Sequence, residues 1–121
     1  IQKGKLNEAL ESFEKATQFA GLIPLYMGYL GCAYALLGRA DKARKFLEEL
    51  QELNQKTYAP PSSLALIYLG LGEIDKAFDW FGKAADEHDG SLSAVASEFM
   101  FDPLRSHPRY QALLRKMNLK P

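Results

Sequence analysis

A chain of 121 residues that is 47% hydrophobic and 25% charged has an ordinary globular composition, and it is long enough to bury a core without metal or disulfide staples. Fifteen basic residues balance fifteen acidic ones, so no global field recruits nucleic acid or an anionic membrane. The single cysteine, Cys32, excludes an internal disulfide framework and is compatible with a reducing compartment, so a cytoplasmic location is the expectation.

The chain opens at Ile1 with no signal-peptide pattern, which points to a piece of something longer. Leu6, Ala9, Leu10, Phe13 and Ala16 recur at helical spacing and predict a helix from about Leu6 to Phe19. No side chain between Lys15 and Arg39 is charged, yet Gly21, Pro24, Gly28, Gly31 and Gly38 interrupt that window. It lacks the unbroken run of roughly 20 apolar residues that a membrane span needs, so no membrane partner is expected. Gly21-Leu22-Ile23-Pro24 reads instead as the end of one helix and the start of the next.

The next helix carries Leu30-Gly31-Cys32-Ala33-Tyr34, in which a small residue beside the leucine lets a partner helix approach closely. Gly38 is placed to end it in a tight turn with φ > 0. Another helix begins near Asp41, whose charge suits a helix N-terminus, and its apolar face is Ala43, Phe46, Leu47 and Leu50. The same series then recurs: Leu64-Ala65-Leu66-Ile67-Tyr68, Gly72, Asp75, and the face Ala77, Phe78, Trp80, Phe81, Ala84. Laid on itself, the chain aligns Gly4 with Gly38 and Gly72, Ala9 with Ala43 and Ala77, and Phe13 with Leu47 and Phe81, a period of about 34 residues. Ala16, Leu50 and Ala84 fall in the same register. Hairpin elements are predicted at about 5–37, 40–55, 60–71 and 74–88. One further helix over 91–100 is expected, without the Leu-small-x-x-Tyr core. Asp102-Pro103 and His107-Pro108 look like helix starts with proline in the first turn. Tyr110, Leu113, Leu114 and Met117 then form one apolar stripe, the pattern of a helix that caps a solenoid.

Over residues 4–89 this pattern resembles the tetratricopeptide repeat family. Met27 and Pro61 stand where the family's tryptophan would be, and Gly21, Gln55 and Asp89 stand at its closing proline. The resemblance implies an all-α solenoid of antiparallel helix hairpins, a right-handed superhelix, with C-terminal capping helices. It divides a single domain, 1–121, into a partial first repeat (1–22), two full repeats (23–56 and 57–90) and a capping segment (91–121). The run from Phe101 to Tyr110 is similar to the tail of tetratricopeptide regions in bacterial signalling proteins, behind winged-helix regulators, nucleotide cyclases or Ser/Thr kinases. The implied function is a protein–protein interaction module or scaffold. The alternative is a regulatory or sensory segment of a larger signalling protein, working within its own chain or through self-association.

Catalysis has no residues to stand on. Cys32 lies on an apolar helix without a local base, surroundings that make a thiol inert. His88, in Asp86-Glu87-His88-Asp89, has adjacent residues that cannot converge on one ion, and reads as a solvated side chain near a helix end. His107 has no second ligand at useful spacing, so neither a metal nor a cofactor is expected. The basic tail with Arg105, Arg109, Arg115, Lys116 and Lys120 follows an acidic stretch with Glu73, Asp75, Asp79 and Asp86. A basic cap on an acidic last repeat accounts for this better than contact with nucleic acid.

In tetratricopeptide proteins the first helices of successive hairpins line a concave groove that receives a partner. The resemblance maps that face to Leu25, Gly28, Tyr29, Cys32 and Leu36 on one helix, and to Ala59, Ser62, Ser63, Leu66 and Leu69 around the next. Such an apolar groove suits an amphipathic helix or an apolar extended segment, while packing of the same residues on neighbouring repeats is the other reading. The Lys, Asn and Arg that chaperone-binding members use to grip a terminal carboxylate are absent from these positions. At the N-terminal edge, Leu6, Ala9, Leu10, Phe13 and Ala16 lack the hairpin mate that would cover them. Self-association, most simply a two-fold dimer, is expected to cover this edge, and fraying or inward tilting of the helix is the alternative.

Overall fold

A computed structural model describes residues 3–20, 23–57, 59–87, 89, 92 and 101–117. Seven helices follow one another among these residues: α1 (Lys3–Ala20), α2 (Pro24–Leu36), α3 (Ala40–Lys56), α4 (Pro61–Gly70), α5 (Ile74–Asp86), α6 (Asp102–Arg105) and α7 (Tyr110–Lys116). No strand occurs among the described residues. None of the described helices is long and apolar enough to cross a membrane. His88 and the helix expected over 91–100 fall outside the described residues, except for Leu92, which is helical and buried.

Both hairpin turns close by the same local chemistry. Gly38 and Gly72 take φ of 89° and 80°, a conformation that side chains other than glycine resist. In the first turn the Arg39 N–H donates to the Tyr34 carbonyl at 2.7 Å and the Gly38 N–H to Ala35 at 3.0 Å. In the second the Glu73 N–H donates to Tyr68 at 3.0 Å and the Gly72 N–H to Leu69 at 3.1 Å. These paired bonds satisfy carbonyls that a helix end leaves without partners, and they set the next helix off in the opposite direction. Pro24 and Pro61 each occupy the first turn of their helix, where a missing N–H costs nothing.

The two kinds of helix differ in how they are covered. α2 and α4 are apolar all round, and each touches three neighbours: α1, α3 and α4 surround α2, while α2, α3 and α5 surround α4. α3 and α5 are amphipathic and bury one stripe, Ala43, Leu47 and Leu50 in α3, and Ala77, Phe78, Phe81, Ala84 and Ala85 in α5.

α2 and α4 run side by side with their backbones in near contact. A methyl group at Gly28 would lie 2.7 Å from the Ser63 carbonyl oxygen, and one at Gly70 would lie 2.7 Å from the Cys32 oxygen. Gly31 seats the Ile67 side chain instead, so the small residue of the repeat core serves α4 as well as the hairpin partner α3.

The C-terminal helices close the far end. Phe101 and Leu104 are fully buried, and Phe101 packs on Phe81 with ring centroids 5.0 Å apart. Arg109 reaches Asp79 at 2.9 Å and donates to the Asp75 carbonyl at 3.1 Å, while Lys116 pairs with Asp86 at 3.0 Å. The basic segment and the acidic face of α5 therefore meet within the chain.

Candidate protein-docking surfaces

The residues mapped to the concave groove divide by accessibility. Leu25 and Leu36 are half-buried. Gly28, Tyr29, Cys32, Ala59, Ser62, Ser63, Leu66 and Leu69 are buried. Gly28 and Cys32 face the α4 backbone at close range, which is why no opening remains there. Tyr29 stacks on Phe13 of α1, with centroids 4.4 Å apart and planes within 10°.

That stack also places the N-terminal edge residues. Leu6 is buried, Ala9, Leu10 and Phe13 pack against the core while staying half-open, and Ala16 is half-buried. Comparison in register is informative. Ala43 and Ala77, one and two periods after Ala9, are 0% exposed, and so are Leu50 and Ala84, which follow Ala16. Leu47 and Phe81, which follow Phe13, are buried as well. α1 thus presents the same face as α3 and α5, closed on the side of α2 and open on the side where α3 and α5 meet their own hairpin mates.

The chemically versatile side chains are engaged in packing. Burial pushes the Cys32 thiol up to about 12, so it stays protonated and inert near neutrality. His107 stacks against Phe78 with centroids 4.7 Å apart, and its Nδ1 accepts the Arg109 N–H at 3.1 Å. No group of three His, Cys, Asp or Glu side chains able to hold a metal ion occurs among the described residues. The Asp41 carboxylate accepts the Lys42 backbone N–H, which holds it below its ordinary range and suits the start of α3.

One contact that the sequence reading missed joins the two ends of the last full hairpin. Asp89 accepts the N–H of Ser62 at 3.1 Å, in the first turn of α4. The available signal was an acidic residue standing where the repeat pattern closes with proline.

Comparison with known proteins agrees with this architecture. A family model described as Tetratricopeptide repeat matches residues 28–57. Among curated proteins, Cell division cycle protein 27 homolog A of Arabidopsis thaliana is 36% identical over 96 residues, covering 78% of this chain. The chain spans 13% of the length of that relative. No solved structure matches.

Proposed function

Because the chain belongs to the tetratricopeptide repeat family, whose members are protein–protein interaction modules, we propose that its half-open α1 face takes an amphipathic helix, supplied by a partner protein or by another segment of its own chain. The observation that carries this reading is the register comparison. Ala9, Phe13 and Ala16 are half-open at positions that both full hairpins bury. In those hairpins the covering element is a helix with the Leu-small-x-x-Tyr pattern, α2 over α3 and α4 over α5. A helix of that kind therefore has a shaped seat on α1. Covering even about 200 Å² of apolar surface is worth roughly 5 kcal/mol before the costs of association. Support for α1 over the concave face comes from burial, since Leu25 and Leu36 are the accessible members of that mapped groove.

The test uses a fluorescent peptide that carries the Leu30-to-Tyr34 pattern of α2, with lysine and glutamate at its outward positions. Saturable binding is expected to be weakened about tenfold or more by Ala9→Glu combined with Ala16→Glu, with helicity retained. Equal affinity of the variant and the parent chain would remove α1 as the site. Covering of the same face by a second copy would show instead as concentration-dependent sedimentation that the same pair of substitutions abolishes.

A further inference from the structure

α1 repeats α3 and α5 in register, but it departs from them where those helices hold the tyrosine of the helix that covers them. In the first full hairpin the Lys42 ammonium lies 4.7 Å from the Tyr34 ring centre. The Phe46 ring is near parallel to Tyr34, with centroids 6.2 Å apart. In the second, Lys76 lies 5.5 Å from the Tyr68 ring centre, and Trp80 stands in register with Phe46. One period earlier the same two positions of α1 are Glu8 and Ser12, both exposed. Glu8, Ser12 and the half-buried Ala16 fall at i, i+4 and i+8, one row along the open side of the helix.

This exchange removes one hold on a tyrosine and reverses the other. A cation is attracted to the face of an aromatic ring, whereas a carboxylate in its place meets the negative face of that ring. Ser12 has no ring to lay beside it. Glu8 and Ser12 instead offer a carboxylate and a hydroxyl one turn apart, acceptors suited to a charged donor. The charges on either side follow no such rule. Lys5 is in register with Arg39 and Glu73, and Lys15, which pairs with Glu11 at 3.3 Å, is in register with Glu49 and Lys83. The position of Glu8 is a lysine in both full hairpins and is inverted in α1 alone.

Resting on the reading of α1 as a seat for a helix, we propose that its occupant carries arginine or lysine where α2 and α4 carry tyrosine. The basic side chain reaches Glu8 and Ser12, while the leucine and the small residue of the pattern keep their places, because Ala9, Phe13 and Ala16 stay apolar as in α3 and α5. No leucine in the sequence is followed four positions later by arginine or lysine. Neither a second copy nor any helix of this chain supplies such an occupant, so it is a helix from outside these 121 residues.

Two fluorescent peptides test the proposal on the intact chain, alike except for tyrosine or arginine at the position of Tyr34. The arginine peptide is expected to bind about fivefold or more tighter, a preference that added salt diminishes. Glu8→Gln is expected to level the two affinities. Glu8→Lys with Ser12→Phe rebuilds the pair that holds Tyr34 and is expected to turn the preference to the tyrosine peptide. Both residues are exposed, and circular dichroism verifies that the variants keep their helices. Saturable binding of both peptides with equal affinity, or with a preference for tyrosine, would overturn the proposal while α1 remains the seat. A preference for arginine that survives the substitutions would overturn it as well. Absence of binding by either peptide would overturn the seat itself, and self-association through α1 would put a second copy in place of the basic helix.

Discussion

Asp89 accepts the backbone N–H of Ser62 at 3.1 Å, so the residue that leaves one hairpin caps the helix that begins it. The Asp89 N–H in turn donates to the Ala84 carbonyl at 2.8 Å, which fixes the carboxylate over the start of α4. The hairpin is thereby fastened at its open end as well as at Gly72. Removing a capping carboxylate costs about 1 kcal/mol, so Asp89→Ala is expected to lower stability by that amount in urea unfolding. An unchanged midpoint would mean that the bond contributes nothing.

Gly28 and Gly31 separate two kinds of close approach. A methyl group at Gly28 meets backbone atoms of Ser63, which cannot move without parting α2 from α4. At Gly31 it meets Cγ1 and Cδ1 of the buried Ile67 side chain, at 2.7 and 2.9 Å, so a side chain rather than a backbone has to shift. Gly28→Ala is expected to destabilise the fold by about 1–3 kcal/mol. Gly31→Ala should cost less, because a side chain rather than the backbone gives way and helix propensity returns up to about 1 kcal/mol. Thermal melts of the two variants check the order, and equal effects would contradict the backbone contact.

The Cys32 thiol gives a pH dependence of defined sign. Its ordinary value is 9.0, and burial raises it to about 12 in the folded chain. Between these values the unfolded chain has lost the proton that the folded chain keeps, so stability present below about pH 9 falls as pH rises toward 12. Cys32→Ser is expected to flatten that part of the stability profile. Thiol-reagent labelling near neutral pH should track global unfolding, and rapid labelling of folded protein would contradict the burial.

Arg109 holds the C-terminal helix by two ion pairs to α5 and by its guanidinium, 5.3 Å from the Phe78 ring centre. The group is partly solvated, so Arg109→Ala is expected to cost only about 1 kcal/mol. Its local signature should be faster hydrogen exchange in 110–117 with little change in α2 and α4. Uniform acceleration across the chain would mean that the cap is part of the main cooperative unit.

The helices were legible because their punctuation is chemical. Gly38 and Gly72 have few conformational substitutes, and Asp41 and Asp75 lie within a residue of where α3 and α5 begin. The partners of each face were less legible. Spacing puts Gly28, Tyr29 and Cys32 on one side of α2, but it does not say that α4 covers two of them and Phe13 the third. The N-terminal edge was read as one apolar face, whereas Leu6 is buried and Ala9, Phe13 and Ala16 are half-open. That division depends on how α1 lies on α2, which periodicity within α1 does not encode. Asp89 was visible as a departure from the repeat pattern, but its contact spans 27 positions and is set by the turn at Gly72.

The central claim is that an amphipathic helix seats on α1, and an amide chemical-shift map of the labelled chain, titrated with the α2-patterned peptide, tests it most directly. The account predicts saturable shifts concentrated at Ala9, Leu10, Phe13 and Ala16, with weaker ones at Tyr29 through its stack on Phe13. Shifts centred on Leu25, Leu36 and Leu69 with α1 unmoved would place the partner in the concave groove and contradict it.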